Sequence, residues 1–194
     1  MTYAINTIYQ VADPAALIEK APEIKEKIIA AGAEGAALIQ PIAAGPNVGN
    51  MIASSSWNSV DAGIEGLGKL YTDPDIAALR EDNPTLGRNI VRVIAEFGDI
   101  DGQFIGLTRF TASDFSDRGL TIAWENGKAN GINGIRASQA IAGSEVGSYV
   151  ALFFTNSLDA LAKTIADLLA DDEYLADMKR INFKPVARGI ARRY

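Results

Sequence analysis

The chain repeats itself at a spacing of 98 residues. AAGPNVGNMIASSSWNSVDA, residues 43–62, lies without a gap on IAGSEVGSYVALFFTNSLDA, residues 141–160. Ala44, Gly45, Val48, Gly49, Ala53, Asn58, Ser59, Asp61 and Ala62 meet identical residues in the copy. Farther on, Leu70 meets Leu168 and Asp73 meets Asp171. After a two-residue shift, Arg92-Val93-Ile94-Ala95 falls on Arg188-Gly189-Ile190-Ala191. Self-similarity of this length means one supersecondary unit used twice. Residues 1–98 and 103–194 are therefore read as two copies, joined by the turn-forming Asp99-Ile100-Asp101-Gly102. With 194 residues in all, each copy is near the lower size limit for a domain, so the two should form one pseudo-symmetric unit.

Within each copy the hydrophobic period switches in the same order. TYAINTIYQV alternates as a strand, and Asp13-Pro14 then offers an N-cap with Pro at the first helical position. Leu17, Ile24 and Ile28 keep one helical face, with Pro22 dividing or kinking it. EGAALIQPI and NMIASSSW read as strands around a glycine-containing hairpin turn. Val60, Ile64, Leu67 and Tyr71 follow at helical spacing, Asp73-Pro74 restarts a short helix, and NIVRVIAEF closes as a strand. The second copy repeats this with FIGLTRFTA, a helix near Arg118 to Ala129, NGIRASQAI, SYVALFFT, a helix carrying Leu158, Leu161, Ile165 and Leu168, and VARGIARRY. The order β-α-β-β-α-β predicts an α+β protein: two tandem ferredoxin-like repeats, each a four-stranded antiparallel sheet with helices on one face. The other apolar face cannot stay in water, and two such sheets in one chain can cover each other.

That arrangement resembles the dimeric α/β barrel superfamily, here as a tandem duplication in which one chain supplies both halves. The resemblance spans the whole chain and rests on element order and duplication. It implies a cleft between sheet and helices in each half, a small and partly apolar ligand, and a monomer built as an intrachain pseudo-dimer, with further homo-oligomerisation open. Members of the superfamily include cofactor-free monooxygenases of aromatic substrates, lactone isomerases, haem-degrading enzymes and haem-bound chlorite dismutases. This sequence departs from the haem members in having no histidine to act as axial ligand, and it lacks the histidine often found in the cofactor-free oxygenases.

The absence of His and Cys removes zinc and haem ligation, thiol nucleophiles and the Ser/His/Asp triad, so no cofactor and no metal are expected. The formal charge of −6 argues against nucleic acid as a partner. Its distribution is uneven: residues 1–98 carry 7 basic against 12 acidic side chains, and residues 99–194 carry 11 against 12. The opening MTYAINTIYQ does not resemble a secretory leader, no apolar run is long enough to span a bilayer, and a cysteine-free chain needs no oxidising compartment. These features point to a cytoplasmic protein without a membrane partner.

Candidate ligand groups come from strand parity and from differences between the copies. On the closing strand, Val91, Val93 and Ala95 share an apolar face, which is assigned to the helices. Arg92 and its assigned mate Arg188 then point into the sheet-sheet interior, where each needs an anionic partner: a ligand carboxylate held by the guanidinium fork, or a structural carboxylate such as Glu96 or Asp177. Ser54, Ser55 and Ser56 stand where the copy has Leu152, Phe153 and Phe154. Ser54 and Ser56 are thus either a hydrogen-bonding pocket or the solvated face of an edge strand. Trp57 and Trp124 are packing residues or pocket walls. The resulting expectation is a small-molecule-binding protein acting on a small, partly apolar anion, with cofactor-independent monooxygenation or isomerisation as the chemistry. A second reading comes from Asp117-Arg118-Gly119-Leu120 followed by Asn130-Gly131-Ile132-Asn133, which resembles amino-acid-binding ACT modules and implies a non-catalytic, ligand-sensing role.

Overall fold

The computed structural model describes residues 1–194. Its first half runs β1 (Tyr3–Gln10), α1 (Pro14–Glu19), α2 (Ala21–Ala30), β2 (Gly35–Ala43), β3 (Asn50–Trp57), α3 (Val60–Leu70), α4 (Pro74–Asp82) and β4 (Thr85–Gly98). The second runs β5 (Phe104–Thr111), α5 (Asp117–Asn130), β6 (Ile132–Ala142), β7 (Tyr149–Thr155), α6 (Leu158–Ala170), α7 (Asp172–Arg180) and β8 (Lys184–Arg193). All eight strands pair antiparallel and close into one barrel in the order β1-β3-β2-β8-β5-β7-β6-β4. The halves therefore join at their edges, β2 to β8 and β4 to β6, as well as facing each other across a lumen. Closure leaves no open sheet edge. The serine-rich strand β3 lies between β1 and β2, so the edge-strand expectation for Ser54 and Ser56 is corrected: the sheet order places this strand in the middle of its half. No helix is long and apolar enough to cross a membrane.

Local chemistry sets the helix boundaries. Asp13, Ser59, Asp73, Ser116, Ser157 and Asp171 each accept a backbone N–H from the first turn that follows them. Pro14, Pro22 and Pro74 occupy first-turn positions, where the missing N–H costs nothing. Pro22 accordingly divides the predicted first helix, with Lys20 at the junction of α1 and α2.

The two halves fill equivalent space with exchanged side-chain sizes. Ile5 stands opposite Ser55, and Gly106 opposite Phe153. Against Ile5 the helix offers Gly63, where an added Cβ would come within 2.6 Å of the Ile5 side chain; against Gly106 it offers Leu161, equally close. One turn on, Trp57 is 1% exposed and lies against Gly66, whereas the second half has Thr155 and Thr164 at the matching positions, both fully buried. Large residues on the sheet thus meet small ones on the helix, and the reverse holds in the copy, which conserves packed volume. The Trp57 indole N–H donates to Ser55 Oγ at 2.8 Å, so this buried ring has its polar edge satisfied. Trp57 belongs to the core, where its ring packs against α3 rather than standing open as a pocket wall. Trp124 stacks on Phe97 at 6.2 Å between ring centroids and packs against the second core.

Two predictions follow from this packing. Replacement Gly66→Ala puts a methyl group into the Trp57 ring and 2.9 Å from the Ala31 carbonyl oxygen. It should cost about 1–3 kcal/mol in urea unfolding, as overpacked cores do, with part recovered when Trp57→Phe removes the outer ring; wild-type stability for Gly66→Ala would contradict this packing. The second concerns the contact that holds α4 against α2. Lys27 Nζ donates to Asp73 Oδ1 at 2.7 Å and Asp75 Oδ2 at 2.6 Å. The Lys27 hydrogen bond and then the Ile76 N–H hold the Asp73 carboxyl below its ordinary value of 3.8. A depressed carboxylate stabilises the fold above that value and loses its contribution as the pH falls through the folded-state value. Asp73→Asn keeps a capping oxygen while deleting the charge. Its Tm should be below wild type at pH 7, with the gap closing as pH falls below 3.8; a pH-independent gap would remove the ion pair from the account.

Candidate functional site

Strand register decides which side chains reach the clefts between sheet and helices. Ile5 packs beneath the helices with Trp57, Leu67 and Leu70, while Ala4 packs with Val91 and Ala140 on the lumen side. Tyr3, Ile5 and Thr7 stand opposite Arg92, Ile90 and Arg88, so these three residues of β4 share the helix-covered face. The assignment of Arg92 to the interior is therefore reversed. Arg188 is reversed with it, because Thr108 stands opposite Arg188 and Gly106 opposite Ile190, and Ile190 packs against the helical core of its half. The parity rule failed because the lumen is itself apolar, and because a bulge between Val93 and Ala95 moves the apolar series from one face to the other.

The same register corrects the pairing of the copies. Thr7 faces Arg88 as Thr108 faces Arg188, and Tyr3 faces Arg92 as Phe104 faces Arg192. Arg88 is thus the mate of Arg188, and Arg92 that of Arg192, at a spacing of 100 rather than 96 residues. The signal is present in the sequence as Arg88-Asn89-Ile90-Val91-Arg92 over Arg188-Gly189-Ile190-Ala191-Arg192. Arg92 itself donates from Nη2 to Gln139 Oε1 at 2.9 Å, and its Nε is buried without a partner. Neither proposed structural carboxylate pairs with it or with Arg188: Glu96 pairs with Arg136 and Asp177 with Arg180. Ser54 and Ser56 stand opposite Asn6 and Ala4 on the lumen face, away from the cleft that the intervening Ser55 lines.

The first-half cleft has aliphatic walls from Leu17, Ile24, Leu38, Leu67, Leu70 and Leu79. Its polar end is built around Tyr71, at the end of α3. Arg88 donates from Nε to Thr7 Oγ1 at 3.0 Å and from Nη2 to the Tyr71 hydroxyl. Arg80, on α4, lies with its guanidinium carbon 3.7 Å from the centre of the Tyr71 ring, a cation–π contact, and its Nε is buried without a partner. The arginines that pair with carboxylates lie elsewhere: Arg109, Arg118, Arg136, Arg180 and Arg193. Burial, reinforced by neighbouring Tyr71, pushes the Tyr9 hydroxyl above the ordinary tyrosine range, although Arg88 and Arg80 pull against this. Tyr9 therefore keeps its proton at neutral pH, and no Asp or Glu lines the cleft.

The second-half cleft is walled by aromatic rings: Phe110, Phe115, Phe153, Tyr174 and Phe183, with Met178 in the position of Arg80. Arg188 lines it from an exposed position. Asp177 stands where the first half has Leu79. Burial raises its carboxyl, but hydrogen bonds from the Ser116 hydroxyl and Arg180 outweigh this and hold it below the ordinary aspartate range. Asp177 stands outside this lining and is paired with Arg180, so Arg188 is the charged side chain of the second cleft, as Arg80 is of the first, where Arg88 is tied to the lining through Tyr71 and Thr7. In the ACT-like stretch, Arg118 pairs with Glu173 and Asn133 donates to the Asp101 carbonyl, so both side chains fasten the fold.

No protein-family model matches the sequence. No curated protein matches it. The fold has counterparts among solved structures. A proposed chlorite dismutase is 12% identical over 100% of this chain and 94% of its own, with a TM-score of 0.60. A proposed monooxygenase from Fusobacterium nucleatum is 8% identical over 99% and 91%, with a TM-score of 0.58. An anthrone oxidase-like protein is 13% identical over 99% and 93%, with a TM-score of 0.56. At these identities the likeness establishes the fold, a closed antiparallel barrel of the dimeric α/β type.

Proposed function

We propose that this chain binds a small, partly apolar anion in the first-half cleft, with the anionic group held by Arg88 and Arg80 and the apolar body between the aliphatic walls. The observation that carries this reading is the pair of guanidinium groups about Tyr71 with no carboxylate to neutralise them. Two cations at the mouth of an apolar cleft repel each other, and an anion bound there gains charge-assisted hydrogen bonds while relieving that repulsion. The neighbours described as monooxygenase and anthrone oxidase-like support a small-molecule role by analogy of fold.

If the bound anion is turned over, cofactor-independent oxygenation or isomerisation is the chemistry this cleft suits. It contributes no residue that is a base at neutral pH, so reactivity must come from the ligand's own ionised form, which the two arginines stabilise. In the oxygenase case an enolate-type carbon supplies electrons to dioxygen and forms a C–O bond. The resulting peroxide then collapses to a carbonyl and water, so that a CH₂ group and O₂ become C=O and H₂O.

Calorimetric titration with octanoate and its uncharged counterpart octanamide tests the binding reading. Octanoate should bind and octanamide should not bind comparably. Arg88→Lys, which keeps the charge but loses the fork, and Arg80→Met, which installs the residue of the second half, should each weaken octanoate by about tenfold or more, the usual scale for a hydrogen bond to a charged group. Equal binding of acid and amide, or octanoate binding unchanged in both variants, would refute it.

A further inference from the structure

The closing strands of the two halves carry the same arginine in different states. Arg88 is half-buried and bonded to Thr7 and Tyr71, whereas Arg188 is exposed and has no side-chain partner. The residue that follows each arginine differs as well. Asn89, 8% exposed, faces the lumen opposite Asn6, and the second half has Gly189 in its place. The Asn89 side-chain oxygen accepts the Ser144 N–H at 3.2 Å, and Ser144 belongs to the β6–β7 hairpin of the other half. Gly143, at φ +103°, packs so closely there that a Cβ would overlap Asn89 Oδ1 and stand 2.6 Å from the Arg88 carbonyl oxygen. The same hairpin is fastened to β5 by the ion pair of Glu145 with Arg109. At the corresponding place in the second half, the chain at Ala43 and Ala44 lies against bare Gly189, where no side chain can bridge.

We infer that Asn89 is a positioning residue that sets the anion preference of the first cleft. It latches β4 to the hairpin of the opposite half and so fixes the backbone from which Arg88 reaches Tyr71. The inference rests on the reading of that cleft as an anion site. A guanidinium held in place before binding loses less rotamer freedom on meeting its ligand, and Arg188, unlatched and unbonded, serves as the internal control. The latch also makes the first cleft depend on a loop of the second half, so the halves are coupled without a shared ligand.

Asn89→Gly copies the second half; Asn89→Ala removes the acceptor while retaining a side chain, in case glycine disrupts the strand; Asn89→Asp restores an acceptor oxygen. Two readouts are needed: titration with octanoate and octanamide, and hydrogen exchange of the Arg88 Nε–H by nitrogen-15 NMR. Asn89→Gly and Asn89→Ala should weaken octanoate about three- to tenfold, the scale of one freed side chain, leave octanamide unchanged and speed the Arg88 exchange, with Asn89→Asp restoring both. Unchanged Arg88 exchange, or equal weakening of acid and amide, overturns the role of Asn89. A wild-type protein that binds no octanoate overturns the anion reading and this role with it. Binding that is lost in Arg88→Lys but retained in Asn89→Gly overturns only the role of Asn89.

Discussion

Two strand seams, β2 with β8 and β4 with β6, determine the rest of the molecule. A four-stranded sheet with helices on one face has two open edges and one bare apolar face. Pairing the edges of two such sheets removes both liabilities at once. The seams are built alike. The register slips between Ile90 and Val91 at one and across the matching Ile190 and Ala191 at the other, where Ala43 and Pro41 stand opposite. The extra residue is Ile141 of β6 at one seam and Ile42 of β2 at the other, and these bulges bend the partner strands around the lumen.

On this shared frame the halves differ in complementary ways. The first keeps Ile5 and Trp57 on its sheet and glycines on α3; the second keeps Gly106 and Thr155 on its sheet and Leu161 and Thr164 on α6. Such exchanges preserve the packing while changing what remains open above it. The first cleft is left aliphatic, with Arg80 in its lining and Arg88 bonded to its Tyr71 and Thr7. The second is aromatic, with Met178 in place of Arg80. The guanidinium pair beside the first cleft is the difference on which the proposed anion site rests.

Much of this was legible in the sequence. The repeat gave the element order, Asp13-Pro14 and Asp73-Pro74 gave two of the helix starts, and the bare sheet faces gave the barrel. The site was less legible for a physical reason. Both faces of every strand are covered in a closed barrel, one by helices and one by the opposite wall, so alternation cannot say which is which, and Arg92 and Arg188 were assigned to the wrong face. The repeat spacing lengthens from 98 to 100 before the closing strand, and reading the two-residue shift in the opposite direction, as 96, pairs Arg188 with Arg92 instead of Arg88. The polar triplet Ser54, Ser55 and Ser56 was correctly marked as unusual, yet its middle member, excluded from the candidates, is the one that lines the cleft and holds the Trp57 indole. Arg80 and Tyr71 carried no signal beyond their helical spacing, since their mates are Met178 and Leu169.

The central claim is that the first cleft holds an anion by its arginines and an apolar chain by its aliphatic walls. A crystal structure of the protein with 8-bromooctanoate tests it most directly, because anomalous scattering locates the bromine independently of the rest of the ligand. The account predicts bromine among Leu17, Leu38 and Leu67, with the carboxylate on Arg88 and Arg80. Bromine in the aromatic second cleft, or a carboxylate away from both arginines, would contradict it.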